Sequence, residues 1–71
     1  MDIIGNIRTC AEKVLSELAR TDKVNILSIA EQLGERSTIV YQSIGWLACE
    51  GRIRYLQVGS QVYISLQGNG K

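Results

Sequence analysis

Ser37, Thr38, Tyr41 and Gln42 are spaced so that on a helix they share one face. Each carries a hydrogen-bonding group. Hydroxyls can reach base edges or phosphate oxygens, and a carboxamide can meet adenine through its donor and its acceptor together. Gly45 continues the same face and adds no bulk. Arg36 ahead of this stretch, with Arg52 and Arg54 beyond it, are the cations best placed for phosphate contacts. Against that chemistry, no Lys or Arg lies between Ser37 and Glu50. A solvated helix face explains the same residues equally well.

Other chemistries find little material. The chain has no His, so the usual general base is missing and no Ser-His or Cys-His pair can form. Its acids are scattered over predicted helix surfaces, and its glycines make no phosphate-cradling loop. An enzyme is therefore not expected. Cys10 and Cys49 are far apart in sequence and have no His to join them, so no metal site, cofactor or small-molecule ligand is expected either. Both are read as reduced, half-buried apolar residues inside helices. Net charge is +1. Residues 1–34 hold four basic and five acidic residues, and residues 35–71 hold four basic and two acidic. The positive bias lies in the half that carries the polar face, but it is small, and every phosphate neutralised needs a cation.

The elements that position these residues follow from periodicity. Ile3, Ile7, Ala11, Val14 and Leu18 repeat at helical steps, widened by Ile4 and Leu15, which predicts a helix over residues 2–20. Asp2 is placed to cap it, and Gly5 blurs where regular helix begins. Val24 adds a residue or two of strand. Asn25 reads as the N-cap of a second helix with Ile26, Ile29, Ala30 and Leu33 on its buried side, and Gly34 closes it. A three-residue link leads to a third helix over residues 37–51, capped by Ser37 and ended by Gly51. Its core stripe is Val40, Ile44 and Leu47, opposite the polar face.

Beyond Gly51 the period changes to two. Residues 52–58 and 61–66 alternate around Gly59-Ser60, a pair suited to a type II′ hairpin turn. That register pairs Val58 with Gln61, Tyr55 with Ile64 and Ile53 with Leu66. It gathers Ile53, Tyr55, Val62, Ile64 and Leu66 on one face. Arg52, Arg54, Leu56, Val58, Tyr63 and Ser65 lie on the other. The order is helix, short strand, helix, tight turn, helix and hairpin. This is an α+β chain in the order of a winged helix-turn-helix, the hairpin being the wing. In such a module the third helix enters the major groove of double-stranded DNA.

Residues 43–53, S-I-G-W-L-A-C-E-G-R-I, carry a likeness. The run resembles the A-L-G-W-L-A-R-E-G-K-I signature of a small bacterial and archaeal family of winged helix-turn-helix domains of uncharacterised function. The likeness extends over residues 7 to 66. In that family the position of Cys49 is commonly basic, so the cysteine removes a positive charge from the end of the third helix. The family's first helix tends to carry small glycines and a Trp where this chain reads T-C-A-E-K-V-L, which points to a different packing there. The resemblance implies the fold and a small dimer. It implies no substrate.

Self-association also has a motive in the residues. A 71-residue chain buries only about 60% of its unfolded surface and is marginal alone. Ile3, Ile4, Trp46, Leu56, Val58 and Tyr63 are the candidate contacts of a homodimer. Trp46 has two readings: covered by the first helix or the wing within one copy, or an anchor between copies. The expected core is Ile7, Ala11, Val14, Leu18, Ile29, Leu33, Val40, Ile44, Leu47, Ile53, Val62 and Ile64. One domain over residues 1–67 with a flexible tail over 68–71 is expected. The start, M-D-I-I-G-N-I-R, has no basic region of a signal peptide, and no apolar run reaches the ~18 residues of a membrane span, so a cytoplasmic location is expected.

Overall fold

The computed structural model describes residues 2–67. Its elements are α1 (Ile3–Arg20), β1 (Val24–Asn25), α2 (Ile29–Leu33), α3 (Ser37–Cys49), β2 (Ile53–Val58) and β3 (Gln61–Leu66). The strands form one antiparallel sheet in the order β1-β3-β2. Three helices with a hairpin behind them make a winged helix-turn-helix arrangement. The expected tail, residues 68–71, lies outside the described residues.

Helix α1 starts where the sequence places it. Asp2 Oδ1 accepts from the Gly5 amide at 3.0 Å, which satisfies one orphan donor of the first turn. At the other end the Thr21 amide and hydroxyl both donate to the Glu17 carbonyl, each at 3.0 Å. The buried side of α1 is Cys10, Ala11, Val14 and Leu18. It packs chiefly on α3, whose buried side is Val40, Ser43, Ile44 and Leu47. Ile29, Val24, Ile53 and Ile64 complete the core from α2 and the sheet. Burying each such aliphatic side chain is worth about 1.5–3 kcal/mol.

The wing has the expected register throughout, from Ile53↔Leu66 to Val58↔Gln61. Gly59 turns it at φ 63°, on the positive side that the first central position of a II′ turn requires. Gly51 closes α3 at φ 74°, with its amide on the Ala48 carbonyl and the Arg52 amide on the Leu47 carbonyl, both at 3.0 Å. That pair of bonds satisfies two of the last carbonyls of α3 and aims the chain into β2.

Several local expectations are corrected. Helix α2 begins at Ile29, not after Asn25. Asn25 instead pairs with Tyr63, and the Ile26 amide donates to Val62 O at 3.0 Å, so the sheet holds the backbone one residue past β1. Asn25 Oδ1 then accepts from Leu27 N at 2.8 Å and organises a turn before the helix. Ser37 is the first helical residue of α3, and the N-cap is Arg36, which forms no side-chain cap. Ile7, Leu33 and Val62 are half-buried where full burial was expected. Cys10 is fully in the core, whereas Cys49 is exposed; both are free thiols. Tyr55, on the inward side of the wing, is 50% exposed although its cross-strand partner Ile64 is fully buried, because it stands on the outer strand β2.

Candidate nucleic-acid interface

Helix α3 separates its two faces cleanly. Val40, Ile44 and Leu47 are buried, while Ser37, Thr38, Tyr41 and Gln42 are exposed. Gly45 is half-buried on the same polar side. The helix is held in this rotation by the α1 contact and by Ser43, the one buried polar residue in the core of the described chain. Its hydroxyl lies 2.8 Å from the Ile39 carbonyl and 3.0 Å from the Ile7 carbonyl. Sequence reasoning missed Ser43, because a serine flanked by core positions reads as one more polar surface residue.

The start of α3 is electropositive by construction. Arg36 has extended backbone at φ −68° and ψ 135° and cannot accept a hydrogen bond through its side chain. The first amides of α3 therefore lack both intrahelical acceptors and a side-chain cap. The neighbouring carboxylate, Glu35, is ion-paired with Lys13 of α1. That bond raises the Lys13 pKa above the ordinary lysine value, through the hydrogen bond first and the charge second. Glu35 is thus engaged by Lys13 and does not offset Arg36. The only other ion pair among the described residues joins Arg20 to Glu17 at 2.6 Å, and it raises the Arg20 pKa by the same causes. Arg8, Arg36, Arg52 and Arg54 belong to neither pair, and all are exposed.

Arg52 lies in the turn between α3 and β2, and Arg54, on the edge strand β2, lies opposite Ser65. Charges on an edge strand also discourage strand-to-strand association, so their presence there has a structural use too.

The candidate contacts for self-association divide into two places. Ile4 and Trp46 come together, with Ile7, Arg8, Gln42 and Gly45, around a groove between α1 and α3. Ile3 is 50%, Ile4 67% and Trp46 37% exposed, so Trp46 is only partly covered within one copy. The wing patch is smaller than its sequence pattern implied. Leu56 and Tyr63 face each other across the strands and are half-buried, and the Lys23 ammonium sits 4.8 Å from the Tyr63 ring centre. Of the three, Val58 alone remains widely exposed, at 55%. A second, more polar recess between α1 and the start of α3 is lined by Asn6, Thr9, Cys10, Glu35, Arg36 and Ile39.

Among the described residues no group of His, Cys, Asp and Glu is placed to hold a metal ion. No helix in them is long and apolar enough to cross a membrane. Fold and exposed face together define a winged helix-turn-helix domain. No family model matches the chain, and no curated protein matches it.

Proposed function

We propose that this chain is a DNA-binding, transcription-regulator-like winged-helix module that uses α3 as its reading helix. The observation that carries this is the division of α3: its apolar side is buried, and Ser37, Thr38, Tyr41 and Gln42 stand exposed directly behind a tight turn. In the reading, Gln42 and Thr38 face base edges. The uncapped amides at the start of α3 and Arg36 take a backbone phosphate. Arg52 and Arg54 take phosphates from the wing. No catalytic step is assigned, and the likeness of residues 43–53 to a small bacterial and archaeal winged-helix family, like the cytoplasmic location, belongs to the same proposal.

The test is binding to labelled random duplex DNA across a salt series. A binder of this kind loses affinity as salt rises, with a slope near −0.9 per phosphate contacted. Absence of binding at the lowest salt would sink the reading.

A second reading is favoured by a separate observation, the apolar groove around Trp46. In it the chain is a protein-interaction or homodimerisation domain without DNA binding. Trp and exposed Ile side chains around a recess are the material of an interface centre.

A further inference from the structure

Gly45 has no explanation inside one copy of the chain. It sits mid-helix in α3, where glycine is less favourable than alanine. A Cβ built on it meets nothing within 4 Å, and its φ is not among the positive ones. Neither close packing nor backbone strain within the domain asks for glycine there. The missing side chain instead leaves this stretch of helix open to a body approaching from outside. The stretch is the wall of the α1–α3 groove, beside Trp46, Ile4 and Ile7.

The two helices run antiparallel. Glu35 meets Lys13, Ile39 lies beside Cys10, Ser43 reaches Ile7, and Trp46 shares the groove with Ile4. Arg8 is one turn beyond Ile4 in one direction. Glu50 is one turn beyond Trp46 in the other. The apolar centre is thus flanked by an exposed cation at one end and an exposed anion at the other, and neither is in an ion pair among the described residues. A surface with opposite charges at equal steps from its centre is complementary to itself under a two-fold rotation.

We infer that a second copy of this chain docks on the α1–α3 groove about a two-fold axis at the level of Ile4 and Trp46, with Arg8 of each copy against Glu50 of the other. This rests on the reading of the chain as self-associating, and names its surface. Ile4 and Trp46 form the dry centre, Gly45 lets the partner's side chains approach the α3 backbone, and the charges form the rim. Gln42 and Gly45 line the groove, so a docked copy covers these two positions of the polar face and leaves Ser37, Thr38 and Tyr41 outside it.

The experiment is sedimentation equilibrium of the full chain with reductant, together with the emission of Trp46, the only tryptophan. Dilution of the dimer should shift that emission to the red. Arg8→Glu and Glu50→Arg should each raise the dissociation constant by about tenfold or more through like charges at the rim, and the double variant should restore it. Both sites are exposed, and circular dichroism verifies that each variant keeps its fold. A dimer indifferent to both swaps would leave self-association standing and overturn this interface. A dimer broken only by Val58→Asp would move it to the wing and do the same. A monomer at high micromolar concentration would overturn both the interface and the self-association it rests on.

Discussion

The Ser43 hydroxyl of α3 lies 3.0 Å from the carbonyl oxygen of Ile7 on α1, fully buried between the two helices. The same hydroxyl lies 2.8 Å from Ile39 O one turn back, so its single proton is shared between a local and a long-range acceptor. The bond therefore does more than satisfy a buried group; it ties the rotation of α3 to α1. Ser43→Ala should lower stability by about 0.5–1.5 kcal/mol, the ordinary net worth of such a bond. Urea unfolding measures it. A midpoint at or above that of the natural chain would mean that the hydroxyl is only tolerated in the core.

Leu47 is fully buried on the same helix, at the junction with β2. Leu47→Ala should cost about 2–5 kcal/mol, from lost transfer energy and the cavity left behind. In a domain of this size that is a large share of the total. Thermal unfolding that barely moved would place the burial of α3 on another face.

The Lys13–Glu35 pair joins α1 to the turn before α3. Because the folded state raises the Lys13 pKa, its contribution is present in full below the ordinary lysine value and is lost as pH rises through the higher folded value. Lys13→Met should therefore be less stable than the natural chain at neutral pH, and the difference should shrink in strong alkali and in high salt. The effect is small, since the pair is solvent-exposed. A difference that grew with pH would contradict the assigned direction.

If duplex DNA is bound, Arg52 and Arg54 act as non-specific contacts from the wing. Replacing both with Ala should weaken binding about equally on all sequences and flatten the salt slope by about 1 per arginine. Affinity lost on one sequence alone would identify them as base-reading residues.

What the sequence made legible follows from how local each determinant is. The wing register was readable because Gly59-Ser60 and the two-residue alternation both act within the hairpin. The ends of α1 and α3 were readable at Asp2 and Gly51, whose capping bonds span only a few residues. The start of α2 was not, since Asn25 has the chemistry of an N-cap and only its pairing with distant Tyr63 keeps the chain extended. Alternation assigned Tyr55 to the inward face but could not say that its strand lies at the edge of the sheet, which leaves it half exposed beside buried Ile64. Ile4 and Trp46 were each recognisable as unplaced apolar residues. Their meeting in one groove with Arg8, Gln42 and Gly45 depends on the antiparallel packing of α1 on α3, which no single stretch of sequence encodes.

Gly45 offers the sharpest separation of the domain's own needs from those of a partner. A methyl group there enters open space, and alanine is the better helix former, so Gly45→Ala should stabilise the isolated domain by about 0.5–1 kcal/mol. The same methyl stands in the groove wall beside Trp46, where an approaching copy needs the room. The variant should therefore resist urea better at high dilution and yet dissociate at higher protein concentration than the natural chain. Unfolding at nanomolar concentration measures the first effect, and sedimentation at micromolar concentration measures the second. A variant that gained stability with unchanged association would show that nothing approaches this helix. One that lost stability at high dilution would show a constraint on Gly45 within the domain itself.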